Sequence, residues 1–516
     1  MSNTHLRRAI LCCVIALISA PVAHLSAQDG KAATNTQQSG AAAAPKSAQS
    51  AAGENQLPPL PPGKSVQQTM VLNGKTLHYT VTVGAYPTRD KTGKVVGQVV
   101  VTSYTMPGDH RPVTFALNGG PGGSSVYLNF GAIGPKHLDF ANQGDSPSAP
   151  AVLTDNQGTW LDFTDLVFID PIGTGFSRSL VPDNQAKKLF YSVEPDIEYL
   201  ARIMYDWLVK NGRLESRKFI VGESYGGFRA PRITYYLQSQ IGVGINGMVL
   251  VSPALNSSIR NHGYIYSPLP WMLTLPSIVA ANLERHSELT AQAMQPVIAY
   301  DEGEYATTLI KGNSDPAATA RMIQRVTEMT GLDPKFVQRS GGRLDAAAYL
   351  REVNREQGTL GSFYDPNVTM IDPFPYAPSQ RANDPVLATV IAPVTTAMVN
   401  FLENTVGWKV VDAHYNALSY DVARLWQKND AAREGAMTQL RQAVAADPQM
   451  RVLIVHGWDD LTCPFMGSVL SVNQMAVTGD PSRVSVHEYP GGHMFYTRNA
   501  SRIALRKDVM TMVTRH

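Results

Sequence analysis

Two rhythms of apolar and polar residues run along this chain, and they predict different elements. Thr69 to Val83 and Val95 to Tyr104 alternate apolar with polar positions around turn signals at Asn73-Gly74 and Lys91-Thr92-Gly93. That alternation predicts antiparallel strands with one buried face. Further along, the apolar runs are short and unbroken: Pro112 to Leu117, Leu166 to Asp170, Phe219 to Val221, Met248 to Pro253, Met450 to His456 and Val484 to Tyr489. Strands of this second kind are buried on both faces. Between them, Glu194 to Leu214 and Arg229 to Gln240 have helical spacing, and Ser501 to Val513 closes the chain as a helix. Strands alternating with helices predict an α/β fold with a mostly parallel central sheet and helices on both faces.

The alternation stops from 257 to 447, where helical spacing, polar loops and Pro-rich connections take over. No flexible linker marks either end, so this stretch reads as an inserted, mainly helical cap and the source of substrate selectivity. It divides the core into residues 64–256 and 448–516. Ahead of the core, residues 28–63 are Ala, Gln, Ser, Gly and Pro with almost no large apolar side chain. Such a composition cannot bury enough surface to offset ordering entropy, which predicts a disordered low-complexity tether. Residues 1–27 have the form of a signal peptide: Arg7 and Arg8 precede the apolar run Ala9 to Ala20, and Leu25-Ser26-Ala27 supplies small residues for cleavage. The run is too short for a stable membrane anchor, so the expected destination is periplasmic or extracellular.

Composition narrows the chemistry. A formal charge of +2 over 516 residues leaves no electrostatic footprint for nucleic acid, and no basic run is interleaved with aromatics. Cys12 and Cys13 fall in the segment to be removed, leaving Cys463 alone and no intramolecular disulfide in the mature chain. With the histidines scattered, no metal-ligand spacing is present, and neither metal nor cofactor is expected.

The residue pattern with most chemical content is Gly222-Glu223-Ser224-Tyr225-Gly226, set between an apolar run and a helical stretch. A turn from strand to helix this tight brings the residues two before and two after the serine together, so both must be glycine. It also places Ser224 at a helix N-terminus, where developing negative charge is favoured. A serine nucleophile needs a base, and the base needs an anion that fixes its tautomer. In chain order and at strand ends, Ser224, Asp460 and His493 meet that need; Asp459 competes with Asp460, whereas His456 and His487 fall within strands. A second glycine-rich stretch, Asn118-Gly119-Gly120-Pro121-Gly122-Gly123-Ser124-Ser125, follows a buried strand, as an oxyanion hole or anion cradle would. A phosphate loop is excluded because no Lys-Ser or Lys-Thr pair follows.

Taken together, Asn118 to Ser125, Gly222 to Gly227, Asp459 to Cys463 and Gly492-His493-Met494 resemble the signature blocks of the serine carboxypeptidase family, of the carboxypeptidase Y type. Asp170 to Ser177 resembles a further block, and the likeness runs from about Thr69 to the C-terminus with the cap loosely covered. The resemblance implies an α/β-hydrolase fold and an enzyme that removes residues from peptides with a free C-terminus. By position it makes Ser224 the nucleophile, His493 the base and Asp460, three before Cys463, the orienting acid. It makes the N–H groups of Gly120 and Tyr225 the oxyanion hole, and gives Asn118, the N–H of Gly119 and Glu223 to the substrate carboxylate.

A carboxyl can hold another carboxylate only while protonated, so Glu223 favours acidic pH while His493 must be neutral. Two positions depart from the family pattern. Ala132 stands where a second glutamate is usual, which predicts a smaller rise in the pKa of Glu223, and Gly123 stands where a cysteine is usual. Other expectations compatible with these residues are an esterase, an acyltransferase or a peptidase of other specificity. An inactive binding protein on the same scaffold is a third class, against which the complete triad counts.

Overall fold

The strand β1 (Lys64–Leu72) turns at Asn73-Gly74 into β2 (Lys75–Arg89), and β2 pairs with β3 (Val95–Thr105), all antiparallel. Both turn residues have positive φ, 48° and 76°, the conformation for which an Asn-Gly pair is suited. A computed structural model describes residues 58–255, 267–378, 380–427, 435–476 and 480–515. The signal peptide, most of the tether and the first residues of the inserted stretch lie outside the described residues. Where the tether was expected to end, the carbonyls of Pro61 and Pro62 accept from the indole Nε1 of Trp408 at 3.3 and 3.2 Å.

The unbroken apolar runs become β4 (Val113–Leu117), β5 (Asp165–Ile169), β7 (Lys218–Glu223), β8 (Gly247–Val251), β9 (Arg451–Gly457) and β10 (Val484–Tyr489). A two-residue strand, β6 (Arg178–Ser179), pairs with β3. The sheet has the order β1-β2-β3-β5-β4-β7-β8-β9-β10. From β5 to β10 every neighbouring pair is parallel, and β3 meets β5 antiparallel. Every residue of β4, β5, β7 and β8 is buried, which is why their sequences show no alternation. Alternate side chains feed opposite faces: Val249, Val251, Leu453 and Val455 enter one core cluster, while Met248, Leu250, Val452 and Ile454 enter the other.

Helices cover the faces, among them Val193–Lys210, Tyr225–Tyr236 and Asn499–Thr514. The helix after Ser224 begins at Tyr225, sooner than the apolar spacing from Arg229 suggests. Gly226 and Gly227 disfavour a helix by propensity, but a Cβ at Gly226 would fall on the carbonyl of Leu117 and one at Gly227 on Pro253. Close packing of the helix start on β4 and on the loop after β8 outweighs the local preference.

Between β8 and β9 the described residues form helices, including Leu269–Arg285, Pro316–Thr330 and Pro385–Asn400, together with a short antiparallel pair, Thr359–Gly361 and Thr369–Ile371. The hydropathy pattern gave no sign of that pair. Leu273, Ile278, Met322 and Val326 form a third apolar cluster, which Trp458 and Phe465 join from beyond the end of β9. By length and composition alone, Pro385–Val406 would pass for a membrane span. Val386, Val390, Val394, Met398 and Phe401 are instead buried in the cluster on one face of the central sheet.

Candidate active site

Ser224 lies at the carboxyl end of β7 with φ 58° and ψ −120°, between a strand that ends at Glu223 and a helix that starts at Tyr225. For a serine this backbone is strained, by roughly 1–3 kcal/mol. A Cβ at Gly222 would fall on the carbonyl of Gly226, so the turn closes only with glycine there. Ser224 N donates to Val251 O at 2.9 Å, and Ser224 O accepts from Gly227 N and Ala254 N. These bonds hold the strained residue in place and turn it into a cleft of about 380 Å³ of empty volume.

His493 and Asp460 come from the loops after β10 and β9. His493 Nδ1 and Asp460 Oδ2 are 2.8 Å apart, both side chains almost wholly buried. Asp460 Oδ1 accepts from Thr462 N and Cys463 N, each at 2.7 Å. The carboxylate is thus fixed with one oxygen on the backbone and one on the imidazole. Because Nδ1 is committed to Asp460, Nε2 is the ring nitrogen that can exchange a proton with Ser224, which lines the same cleft. His493 N donates to Tyr364 O, its carbonyl accepts from Ser252 Oγ, and the Tyr364 ring meets the imidazole edge-on at 4.9 Å between centroids.

The competing residues sit elsewhere. Asp459 is fully buried, and its carboxyl oxygens have no hydrogen-bond partner among the described residues. Burial, then the nearby Asp365, pushes its carboxyl well above the usual range. His456 is enclosed within β9 between Ser468 Oγ and Cys463 O, and burial lowers it to about 4, so it stays neutral. His487 lies on β10 beside Asp508.

The glycine loop after β4 packs directly on the elbow. A Cβ at Gly119 would press on Tyr225 N and Ser224 Cβ, and Gly119, Gly120 and Gly123 line the cleft. Gly120 N and Tyr225 N have no hydrogen-bond partner among the described residues, so both donors remain available beside Ser224. The loop is tied down on three sides: Ser125 N donates to Asp170 Oδ1, Ser124 N to Ala417 O, and Ser419 N to Gly122 O. Asn118 is set by Leu128 N, which donates to its Oδ1 and thereby turns its Nδ2 to Glu223 Oε2 at 2.8 Å. Behind it, Arg229 donates to Asn118 O and pairs with Asp196 in an ion pair 1% exposed on each side.

Glu223 is buried and lines the cleft beside Ser224. Burial raises its carboxyl to about 7, against the smaller opposing pulls of His493, Tyr496 and Asn118. Desolvation, with a smaller push from Asp460, thus keeps the group protonatable near neutrality, although Ala132 offers no second carboxyl. Tyr496 Oη donates to the same Oε2 at 2.6 Å. The sequence gave no reason to single out Tyr496, nor Tyr127, Tyr364, Leu387 and Leu418, which line the cleft together with Met494 of the Gly492-His493-Met494 block. The one available hint came from the family resemblance, in which Ala132 takes the place of a second glutamate and so leaves Glu223 without the usual carboxyl partner.

The fold also gathers ligand-type atoms that sequence spacing keeps apart: Asp460, Cys463 and His493 in one group, and Glu284, Asp365 and Asp459 in another. In the first, Asp460 is already bonded to His493 and the backbone. In the second, Arg498 bridges Glu284 and Asp365. Protein cations and donors thus already serve most of these ligand atoms.

A largely parallel sheet with a serine on a strained strand-to-helix turn, and an Asp–His pair delivered by later strand ends, defines an α/β-hydrolase. The serine carboxypeptidase family model matches residues 99–505, and the chain belongs to that family. It is 30% identical over 234 residues to the retinoid-inducible serine carboxypeptidase of Rattus norvegicus, covering 43% of this chain and 48% of the relative. To the pheromone-processing carboxypeptidase kex1 of Aspergillus niger it is 29% identical over 181 residues, 35% of this chain and 27% of the relative. The chain thus spans less than half the length of the curated relatives it matches. Among solved structures, a prohormone-processing carboxypeptidase from Saccharomyces cerevisiae superposes with a TM-score of 0.53 at 15% identity, covering 84% of this chain and 91% of that one. This last likeness bears on the fold.

Proposed function

We propose that the protein is an exported serine carboxypeptidase that hydrolyses the last peptide bond of substrates with a free C-terminus, through an acyl-enzyme on Ser224. The observation that carries this reading over other α/β-hydrolase chemistry is Glu223, a buried carboxyl raised to about 7 in the same cleft as Ser224 and His493. A neutral carboxyl can donate to a terminal carboxylate where an anion would repel it. Export rests on the form of residues 1–27.

In this mechanism Ser224 Oγ attacks the scissile carbonyl while His493 Nε2 takes its proton, and Asp460 stabilises the imidazolium. Gly120 N and Tyr225 N take the oxyanion. Collapse of the tetrahedral species breaks the C–N bond, and His493 returns the proton to the departing amino group. Water then attacks the acyl-enzyme with the same base and releases the shortened peptide. Asn118, Gly119 N and Glu223 hold the terminal carboxylate until the C–N bond breaks and the amino acid that carries it departs.

The test is the purified mature protein incubated with N-blocked dipeptides, free or amidated at the C-terminus. Free peptides are expected to lose their last residue and amidated ones to resist. Equal cleavage of the two would remove the exopeptidase assignment. Ser224→Ala is expected to abolish turnover with the fold intact, and substantial residual turnover would end the triad assignment.

A further inference from the structure

Tyr496 follows His493 by three residues, on the short 3₁₀ turn Phe495–Thr497, and is fully buried. Its ring packs against Gly131, where an added Cβ would meet Cε2 at 2.8 Å. Its hydroxyl and the amide of Asn118 converge on one oxygen of Glu223, Oε2, at 2.6 and 2.8 Å. The amide is oriented by Leu128 N on Asn118 Oδ1, so the group facing Glu223 is a donor and cannot accept. An oxygen that already receives an amide proton and a phenolic proton is a poor place for the carboxyl's own proton. Oε1, by contrast, makes no hydrogen bond to the described residues, and Glu223 lines the cleft that holds Ser224.

We propose that Tyr496 is a positioning residue for substrate recognition: with Asn118 it fixes Oε2 of Glu223, so that the carboxyl proton resides on Oε1 and is presented to the substrate's terminal carboxylate. This inference rests on the carboxypeptidase reading above. It adds the residue that decides which oxygen of Glu223 is the donor and at what pH that donor is lost.

Besides Tyr496, the titratable groups that face Glu223 are His493, Asp460, Tyr127 and Tyr364. Burial raises the carboxyl to about 7, and the Tyr496 hydroxyl is among the groups that hold it down by bonding the anion. Without that hydroxyl the proton would be retained to higher pH, but the carboxyl would be held by Asn118 alone. Tyr496→Phe therefore separates two effects that a merely structural role would not produce together. One is a rise in KM for free-terminus peptides in the acid range, where Glu223 is protonated in both proteins. The other is a move to higher pH of the limb along which KM climbs.

The experiment measures kcat and KM between pH 4.5 and 8.5 for wild type, Tyr496→Phe, Glu223→Gln and the double variant. The substrates are an N-blocked dipeptide with a free C-terminus and an N-blocked amino-acid methyl ester, with urea unfolding as the check on folding. Phe fills the same volume, so a folded protein is expected. For the peptide, the alkaline limb of KM in Tyr496→Phe should move up by about one pH unit, the size of one lost bond to a charged group. KM at pH 5 should rise several-fold. For the ester, which has no terminal carboxylate, KM should show no such limb in either protein. In Glu223→Gln the limb should be absent, and adding Tyr496→Phe should not restore it. A peptide limb at the wild-type pH in Tyr496→Phe overturns the proposal, as does an ester KM that shifts in parallel. Should Tyr496→Phe fail to fold, a limb persisting in Glu223→Gln overturns it independently. If wild type cleaves amidated and free dipeptides alike in the test of the proposed function, the carboxypeptidase reading itself has failed, and that result is in hand before any variant is made.

Discussion

Replacing Glu223 with glutamine removes one ionisation and almost nothing else. The glutamine carbonyl can take the donors of Asn118 and Tyr496 that now converge on Oε2, and the side chain keeps its volume. The folded carboxyl titrates at about 7 and an ordinary one at 4.5. Below pH 4.5 the folded and unfolded chains are both protonated, so the group has no effect on stability. Between 4.5 and 7 the unfolded chain releases the proton while the folded chain keeps it, and the wild type loses stability as pH rises. Above 7 the full cost is in place, which at about 1.4 kcal/mol per pH unit comes to about 3 kcal/mol. Glu223→Gln escapes that cost. Urea unfolding at pH 4.5, 5.5, 6.5 and 7.5 should show the variant matching wild type at the acid end and exceeding it by about 3 kcal/mol at the other. A difference that is flat with pH, or that grows toward acid, would refute the claim that Glu223 is buried as a protonatable acid.

Three further outcomes follow from the neighbouring groups. Asp460→Asn should lower turnover by about 10⁴, because the amide cannot fix the His493 tautomer as the carboxylate does; steady-state rates check it, and a loss under tenfold would count against the 2.8 Å pair as the catalytic one. Asp459→Asn should leave turnover within a few-fold and raise the urea midpoint at pH 7.5, since it removes a buried carboxyl raised well above its usual range, whose cost grows with pH; equal damage from the two variants would reverse the assignment. Arg229→Met should strand Asp196 and release Asn118 O, costing about 3–5 kcal/mol of stability; an unchanged denaturation midpoint would mean that the pair does not support the glycine loop.

Much of the fold was legible because local rules write it. The Asn73-Gly74 hairpin, the alternation in β1 to β3 and the unbroken runs of the parallel strands reflect backbone conformation and burial that neighbours in sequence share. The elbow was legible for the same reason: Gly222 is demanded by a turn contained within five residues. The start of the following helix at Tyr225 was not, because Gly226 and Gly227 act there through contacts with Leu117 and Pro253, more than twenty residues away.

The nine-residue apolar-to-glycine stretch around Ser224 determines by itself that a strand ends and a serine is lifted in a tight turn, since steric limits on φ and ψ act between adjacent residues. Which carboxylate meets the imidazole is a different matter. Asp459 and Asp460 are adjacent in the chain and nearly equivalent as a pattern, yet one reaches His493 and the other is enclosed with no hydrogen-bond partner among the described residues. That choice depends on how the parallel strands β9 and β10 set their end loops against each other. Tyr496 reaches Glu223 across 273 residues on the same terms. Side-chain direction at a loop is fixed by the packing around it, and packing exists only once the chain has closed on itself.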